Sequence, residues 1–486
     1  MPGATEPDGR KFTPAMRIVS AASAPDAARP VLRESGAVLL VSCYELGHQP
    51  LGIAWPKAFL ERAGYAPDSL DLAIEPWDDA KIRRARLVGI AVPMHTALRV
   101  GVRAAERIRR MNPQCRIVFY GLYALLNAKY LLGGLADAVL GGEFEGALVA
   151  LVEQLDAGRE QGPTRAPPAL ERLVFPVPSR AALPALTRYV RLSREGRLVP
   201  AGYIEASRGC LHHCLHCPIP PIYDGRFFVV PRDVVLEDIR RLVAAGAGHI
   251  TFGDPDFLNG PGHALRLVRA LHAEFPNLSY DFTAKIEHLL RHRELIPELA
   301  ATGCVFVVSA VESLSDVVLT NLEKGHTRAD VSVALEIVRC AGIALRPSFV
   351  PFTPWATLDD YLELLDFVEA AGLLDHVDPV QLTIRLLIPP GSALLSRPGI
   401  QPFLGELDEA RFTYRWTHPD ARMDRLYREA TALVEAATQS GEDPAVTFDR
   451  LRSLAAESAG RPVSGGVRLP PSERPIPPRL TEPWFC

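Results

Sequence analysis

Three cysteines that lie close together in the sequence carry the most specific chemistry in this chain. Cys210, Cys214 and Cys217 follow the spacing CxxxCxxC within the run Arg-Gly-Cys-Leu-His-His-Cys-Leu-His-Cys-Pro at 208–218. Iron–sulfur clusters are held by cysteine thiolates, usually four of them, and three on one short loop can hold three irons of a 4Fe–4S cubane. The fourth iron is then open, and an open coordination position is where a metal does chemistry.

The same loop is also compatible with a zinc site. His212, His213 and His216 lie inside it, and structural zinc takes four Cys or His ligands at characteristic spacings. A zinc knuckle, or three unpaired cysteines in a protein core, therefore remains an alternative when the spacing is considered alone.

The composition indicates a soluble globular protein with an intracellular chemistry. Of 486 residues, 48% are hydrophobic and 23% charged, and the net charge of −4 offers no basic surface for nucleic acid. No run reaches the ~18 apolar residues of a membrane span, and the N-terminus lacks the pattern of a secretion signal. The eight cysteines favour metal or redox chemistry in a reducing cytoplasm over a disulfide scaffold.

Alternating strands and helices must position the cysteine loop. Continuous apolar runs such as Ala37–Ser42 predict buried parallel strands, and their alternation with helices predicts a doubly wound, Rossmann-like α/β domain over 31–156. A proline-rich linker is expected at 157–200. Alternation resumes over 201–392, where the cysteine loop follows the first predicted strand, Ile204–Ser207. Five further strands are predicted there, at His249–Phe252, Leu278–Lys285, Cys304–Val311, Ala344–Phe349 and Val380–Leu387.

The remaining segments are predicted from composition and periodicity. Residues 1–30 are small, polar and proline-bearing, which is typical of disorder. Apolar residues at helical spacing predict a small helical cap over 393–460. Residues 461–486 are rich in proline and glycine at their start and predict a flexible tail that ends in Cys486.

The CxxxCxxC loop, together with the order of strands behind it, resembles the radical S-adenosylmethionine (radical SAM) superfamily. The resemblance implies a partial, six-unit β/α barrel whose site lies on the loops after the strands. It also implies a 4Fe–4S cluster whose open iron binds S-adenosylmethionine (SAM), and one-electron cleavage of SAM to methionine and a 5′-deoxyadenosyl radical. The expected partners are a small organic substrate and an electron donor such as ferredoxin or flavodoxin.

The same resemblance assigns contacts to SAM. Gly253 and Asp254 stand where the family has a Gly-Gly-Glu segment that holds the SAM amino group, and Asp254 could replace a lost backbone contact. A turn or helix-capping carboxylate is the alternative for Asp254. Glu312 matches the segment that contacts the ribose, because a carboxylate accepts hydrogen bonds from hydroxyl groups well. Arg346, on the fifth predicted strand, could neutralise the SAM carboxylate.

The N-terminal domain resembles the cobalamin-binding domain that precedes many radical SAM barrels. The resemblance is carried by Gln49–Gly52, Val92–Thr96 and Gly141–Glu145, whose glycines would let the backbone approach a flat ligand at the sheet edge. The DxHxxG signature that supplies a cobalt ligand is incomplete, since loop 45–52 contains His48 without the acid and glycine at the expected offsets. His48 is thus either the lower cobalt ligand or an ordinary loop histidine, and cobalamin binding without a protein ligand stays open.

The C-terminal sequence Leu-Thr-Glu-Pro-Trp-Phe-Cys weakly resembles a radical SAM group whose members end in Cys-Cys-Ala-Glu-Pro or Cys-selenocysteine-Ala-Glu-Pro. This resemblance implies a reactive thiol at Cys486, and a selenocysteine codon read as a stop directly after it. An incidental cysteine is the alternative.

These features predict a cytoplasmic radical SAM enzyme that acts on a small molecule. The alternatives are cobalamin-dependent radical methyl transfer and the formation of carbon–arsenic or other carbon–heteroatom bonds from SAM. A different class also remains open, namely a non-catalytic iron–sulfur or zinc protein that acts as a redox sensor or scaffold.

Overall fold

Two mainly parallel sheets form the framework of the chain, and each presents the carboxyl ends of its strands towards the other. The computed structural model describes residues 32–159, 162–462 and 474–482. The predicted disordered segment 1–30 and Cys486 lie outside these ranges. Within the described ranges, no helix combines the length and the apolar character needed to cross a membrane.

The first sheet has six parallel strands in the order 2-1-3-4-5-6, with helices connecting them. Every residue of Val38–Ser42 and Leu87–Ala91 is buried, as the continuous apolar runs predicted. The doubly wound α/β prediction is confirmed. The elements are β1 (Val38–Ser42), α1 (Leu51–Arg62), β2 (Asp68–Asp71), α2 (Asp79–Arg84), β3 (Leu87–Ala91), α3 (His95–Met111), β4 (Arg116–Tyr120), α4 (Leu122–Leu126), α5 (Ala128–Leu131), β5 (Ala138–Leu140), α6 (Glu145–Asp156) and β6 (Thr164–Arg165).

The second sheet curls into a half-barrel in which five strands are parallel neighbours. An antiparallel strand extends it at one edge. Its elements are β7 (Arg191–Arg194), β8 (Arg197–Ile204), β9 (Ser207–Gly209), α7 (Pro220–Tyr223), β10 (Phe227–Val229), α8 (Arg232–Ala244), β11 (His249–Phe252), α9 (Pro261–Glu274), β12 (Ser279–Thr283), α10 (Ile286–Arg291), α11 (Ile296–Ala301), β13 (Cys304–Glu312), α12 (Asp316–Asn321), α13 (Arg328–Cys340), β14 (Ala344–Phe349) and α14 (Leu358–Ala370).

Two of the strand predictions for this barrel are wrong. The first barrel strand, β8, ends at Ile204, and β9 pairs with β10 in a separate antiparallel ribbon, so the predicted strand Ile204–Ser207 is interrupted. The sixth predicted strand, Val380–Leu387, is a 3-10 turn at Pro379–Leu382 followed by a single bridge from Arg385 to Phe352. Proline has no N–H for a strand ladder and favours the first turn of a helix, which explains why apolar character alone did not form a strand here.

The C-terminal region begins with a hairpin and only then becomes helical. Its elements are β15 (Leu404–Asp408), β16 (Thr413–Trp416), α15 (Ala421–Ser440), α16 (Pro444–Ser458) and β17 (Arg479–Leu480). The predicted helical cap therefore contains two helices and a hairpin that the periodicity did not indicate. The described part of the predicted flexible tail is docked, because β17 pairs with the edge strand β7 and Arg474 forms ion pairs with Asp375 and Asp443.

Candidate functional site

A cleft separates the carboxyl edge of the first sheet from the beginning of the barrel. Its empty space is about 1070 Å³, and it opens to solvent. The loops after β1, β3, β4 and β5 form one wall, and the chain around the cysteine loop forms the other. Residues that represent the two walls are Glu45, Pro93, Gly121 and Phe144 on the first, and Glu205 and Arg208 on the second. Open α/β sheets bind ligands at this edge.

Glu45 occupies the floor of this cleft at the beginning of α1. Its carboxylate accepts hydrogen bonds from the backbone N–H groups of Leu51, at 2.9 Å, and Gly52, at 3.0 Å. A Cβ at Gly52 would lie 2.4 Å from a Glu45 oxygen, so only glycine permits this approach. The pKa of Glu45 is raised to about 8, mainly by burial and to a smaller extent by the Asp71 and Glu205 carboxylates, while the backbone hydrogen bonds oppose the rise. In the sequence, Glu45 is only the first residue of the loop that carries the incomplete cobalamin signature.

The raised pKa of Glu45 predicts a pH-dependent stability. The usual pKa of 4.5 applies to the unfolded chain and about 8 to the folded one, so the unfolding free energy falls as pH rises between these values. In Glu45→Gln, which keeps an acceptor oxygen, the contribution of Glu45 to this slope, up to about 1.4 kcal/mol per pH unit, should disappear. Urea unfolding at pH 5.5 and pH 8 checks it. Equal pH dependence in both proteins would contradict the assignment.

Arg208 connects the two walls of the cleft two residues before the first cysteine. Its guanidinium lies 2.7 Å from Glu145 and 3.6 Å from Glu143, both in the N-terminal domain, and 2.9 Å from Glu205. Burial raises the pKa of Glu143 to about 7, although Arg208 lowers it. Three carboxylates therefore share one buried guanidinium. The local sequence does not reveal this ion-pair cluster, because Glu143 and Glu145 lie more than 60 positions before Arg208.

The three cysteines are gathered on one loop at the mouth of the barrel. Cys210 and Cys214 are buried and Cys217 is half-buried. Asn259 donates a hydrogen bond from Nδ2 to the Cys210 sulfur at 3.6 Å, and the backbone N–H of Cys217 donates to the Cys214 carbonyl at 3.2 Å. Burial raises the pKa of the Cys217 thiol to about 12, with Lys324 opposing the rise. A bound metal removes the proton of a coordinating thiol.

The spread of the sulfur atoms bears on the choice between a cluster and zinc. Among the described residues, the sulfur atoms of Cys210, Cys214 and Cys217 do not form a set in which all three atoms lie within 4.8 Å of one another. A tetrahedral zinc ion with Zn–S bonds of about 2.3 Å would hold its sulfurs about 4 Å apart. Three sulfur donors on one short loop are a ligand set that can hold a 4Fe–4S cluster and leave one iron open.

Glu312 fastens this loop to the barrel. It ends β13 with a left-handed φ of 65°, and its Oε1 lies 3.1 Å from His216 Nε2 and 3.2 Å from Lys324 Nζ. Burial alone would raise the pKa of Glu312, but Lys324 and His216 hold it well below its usual range. The described contacts of this predicted ribose ligand are therefore with the cysteine loop and a lysine that is 2% exposed. Of these two partners of Glu312, the local sequence singles out only His216, as a residue inside the cysteine loop.

Gly253 and Asp254 lie where β11 ends, beside both the cleft and the barrel interior. Asp254 accepts hydrogen bonds from the backbone N–H of Ala206, at 3.0 Å, and from the Ser207 hydroxyl. A Cβ at Gly253 would lie 2.3 Å from the Tyr203 ring, so a side chain would collide with it. Burial raises the pKa of Asp254 to about 7, while its hydrogen bonds lower it. These contacts show Asp254 holding the turn between β8 and β9.

A second cavity, with about 900 Å³ of empty space, lies inside the half-barrel. Arg346 lines it and pairs with Asp378 at 2.7 Å, while its buried Nη1 has no hydrogen-bond partner among the described residues. His48 also faces this cavity, stacked on Tyr203 with ring centroids 4.4 Å apart. Burial lowers the pKa of His48 to about 3, with a smaller contribution from His249, so the ring is neutral. His48 is not among the described residues that line the cleft.

The docked tail forms part of the wall of this barrel cavity. Leu480 and Glu482 line it, and Glu482 accepts a hydrogen bond from the Tyr44 hydroxyl at 2.8 Å. The tail thereby connects the edge of the barrel to the loop after β1. Cys486, the predicted thiol, lies outside the described residues, four positions after Glu482.

Part of the chain is similar in sequence to a known superfamily. Residues 204–368 match the Radical SAM superfamily. A hopanoid C-3 methylase from Methylococcus capsulatus is 26% identical over 323 residues, which cover 63% of this chain and 62% of the methylase. The ribosomal protein uS12 methylthiotransferase RimO from Porphyromonas gingivalis is 29% identical over 181 residues, or 34% of this chain and 40% of RimO. The chain thus spans less than two thirds of these relatives.

Two solved structures share the fold. The cobalamin-dependent SAM radical enzyme OxsB, with aqua-cobalamin bound, superposes with a TM-score of 0.66 at 15% identity, covering 82% of this chain and 67% of OxsB. The radical SAM methyltransferase TsrM from Kitasatospora setae, with cobalamin and a 4Fe–4S cluster bound, gives a TM-score of 0.56 at 20% identity, covering 70% of each chain. Both likenesses support the two-domain α/β architecture described above.

Proposed function

We propose that this chain, which carries a radical SAM domain at 204–368, is a cobalamin-dependent radical SAM methyltransferase for a small organic substrate. One observation carries the proposal. The cleft at the carboxyl edge of the N-terminal sheet is walled on its other side by Glu205, Ser207 and Arg208, directly before the cysteine loop. A cofactor in the cleft and a cluster on the loop would therefore lie side by side. A hopanoid methylase is similar to this chain in sequence, and the methyltransferase TsrM shares its fold.

The chain's own residues bind and orient the reacting groups. Bound together, the cluster and SAM supply a 5′-deoxyadenosyl radical and cobalamin supplies methyl-transfer chemistry. Cys210, Cys214 and Cys217 hold the cluster, and Glu312 keeps their loop in place through His216. Asp254 holds the turn against which the SAM amino group would lie.

Arg346 is the strongest candidate for an anion contact inside the barrel. Nη2 is occupied by Asp378, and the buried Nη1 lacks a hydrogen-bond partner within the described ranges. An unpaired buried guanidinium N–H is costly, so a carboxylate ligand would satisfy it with a charge-assisted hydrogen bond. The SAM carboxylate is the group we assign to it.

Cobalamin would bind in the cleft without His48. The imidazole of His48 stacks on Tyr203 and faces the barrel cavity. Glu45, not a histidine, occupies the beginning of α1 at the floor of the cleft. We therefore propose that His48 helps to close the barrel cavity and that the residues lining the cleft would hold cobalamin without His48.

Anaerobic reconstitution tests the proposed function. Iron, sulfide and hydroxocobalamin are added, and the protein is desalted and treated with SAM and dithionite in place of a ferredoxin or flavodoxin. We expect 4Fe–4S absorbance that changes on SAM addition, retained corrinoid absorbance, and release of both 5′-deoxyadenosine and S-adenosylhomocysteine. 5′-Deoxyadenosine without corrinoid retention would support radical chemistry without methyl transfer. A colourless, zinc-loaded protein would support the non-catalytic alternative.

A large side chain in the cleft should weaken cobalamin binding without affecting the cluster. Leu122 lines it at the beginning of α4, and in Leu122→Trp the larger ring would occupy space that the corrin needs. We expect corrinoid retention to fall at least about tenfold while iron content is unchanged, because the cysteines lie on the other wall. Corrinoid absorbance after desalting measures this. Arg103→Trp, at an exposed position of the same domain, is the control and should retain cobalamin.

The tail offers a second candidate chemistry. We propose that the Cys486 thiol takes part in the reaction, as the weak resemblance to the Cys-Cys-Ala-Glu-Pro group implies. Glu482, the last described residue of the tail, lines the barrel cavity. In Cys486→Ser we expect substrate turnover to fall at least about tenfold with iron content and 5′-deoxyadenosine release unchanged. Unchanged turnover would mean that Cys486 is an incidental cysteine with no part in the reaction. Reading the genomic codon after Cys486 tests the selenocysteine alternative independently.

A further inference from the structure

A second group of ligating side chains lies beside the cysteine loop. His212, Asp256 and His288 place one ligand atom each within 4.8 Å of one another. They come from three separate parts of the barrel. His212 lies between Cys210 and Cys214, Asp256 follows β11, and His288 lies on α10, which follows β12. This convergence joins the cysteine loop to two neighbouring strand ends.

The imidazoles of His212 and His288 both lie near the Asp256 carboxylate, but neither is aligned to form a hydrogen bond with it. His288 Nδ1 is 2.9 Å from Asp256 Oδ2, and His212 Nε2 is 3.9 Å from the same oxygen. Both nitrogens are buried atoms without a hydrogen-bond partner in the part of the chain that is described. Asp256 is 0% and His288 3% exposed. The two nitrogens are therefore near the Asp256 oxygen without being bonded to it, and their lone pairs are free to bind a cation between the three side chains.

The groups around these three side chains would support a cation. Asp256 is fixed by the backbone N–H groups of Leu258, at 2.9 Å, and Lys285, at 3.0 Å. Glu287 Oε2 lies 3.6 Å from His212 Nδ1. Ligating histidines usually donate their other ring N–H to a carboxylate, which keeps the imidazole oriented. Glu287 is placed to accept that bond from His212.

Lys285 must give up one of its two hydrogen-bond contacts when a cation binds. Lys285 Nζ lies 3.1 Å from His212 Nδ1 and 3.3 Å from Glu287 Oε2. When Nδ1 carries the proton, the ammonium loses its acceptor on His212 but keeps the Glu287 carboxylate. The carboxylates of Asp256 and Glu287 then offset the charge of Lys285 and half of the charge of a dication.

We propose that His212, Asp256 and His288 bind one divalent transition-metal cation such as Zn²⁺ or Fe²⁺, separate from the cluster. Two imidazoles and one carboxylate suit these ions. Metal bonds of about 2.1 Å place pairs of ligand atoms roughly 3–4 Å apart, as the two measured separations do. The cation would fasten the cysteine loop to the ends of β11 and β12.

Metal analysis of the reconstituted holoprotein tests the site. The cluster occupies the three thiols, so zinc added afterwards and retained through desalting counts other sites. We expect about one zinc ion beside about four iron atoms in the wild-type protein. His288→Gln should retain iron but bind zinc at least tenfold more weakly, and Glu287→Gln should weaken zinc binding about 10- to 100-fold. His292→Gln is the control, since His292 neighbours His288 without belonging to the group.

Either of two results would overturn the site: no retained zinc in the wild-type holoprotein, or equal zinc in the wild type and both variants. Because Glu287 is half-buried and supplies no ligand atom, its variant keeps the test meaningful if His288→Gln fails to fold. SAM cleavage is not the readout, so failure of the proposed methyl transfer and failure of this site are distinguishable.

Discussion

Cys217→Ala is expected to remove the cluster and reductive SAM cleavage together. Only the thiolates of Cys210 and Cys214 then remain on the loop. Two irons of the cubane are left without a protein ligand, compared with one in the wild type, and the cluster is no longer retained. Iron per chain should fall from about four to below about one, and 5′-deoxyadenosine release under dithionite should fall at least about a thousandfold. Iron analysis and chromatography of the SAM products measure both effects.

Cys340→Ala is the matched control for this prediction. Cys340 is an exposed thiol at the end of α13, away from the loop, so its loss should leave iron content and SAM cleavage unchanged. A Cys217→Ala protein that still holds about four irons and cleaves SAM would mean that another residue completes the site. Iron that persists without SAM cleavage would instead favour the redox-sensor alternative.

Arg208→Met is expected to cause the largest loss of stability. The substitution keeps much of the side-chain volume over Trp55 and Phe175 but removes the charge that the buried Glu143 and Glu145 share with the half-buried Glu205. Breaking a buried ion pair from one side costs about 3–5 kcal/mol, because the remaining charge is neither solvated nor paired. Urea unfolding of the cluster-free protein at pH 7.5 should show a loss in this range. Retention of corrinoid should also fall, since Arg208 joins the two walls of the cleft.

Two further variants show whether the loss of stability comes from the lost charge or from lost packing. Adding Glu145→Gln and Glu143→Gln to Arg208→Met removes two unpaired carboxylates and should restore about half or more of the lost stability. Arg269→Met breaks the exposed ion pair with Glu298 and should change stability by less than about 1 kcal/mol. An Arg208→Met protein as stable as Arg269→Met would refute the role of Arg208 as the common counterion.

The cysteine loop and the order of elements around it follow from the sequence alone. CxxxCxxC places three ligands within eight residues, so no distant partner is needed to recognise it. The strands of both sheets are also local signals, because a strand buried on two faces reads as a continuous apolar run. The N-terminal α/β domain and four of the six predicted barrel strands were found in this way.

The contacts that surround the loop depend on residues far apart in the sequence, and only the tertiary structure decided them. Arg208 meets Glu145 across 63 positions, and His216 meets Glu312 across 96; no periodicity encodes such pairs. The docking of the tail is likewise non-local, since Arg479–Leu480 is a strand only because β7 presents an unpaired edge. Local patterning determined the cluster ligands and the alternation of strands and helices, whereas burial and long-range pairing decided which charges meet around them and which segments become strands.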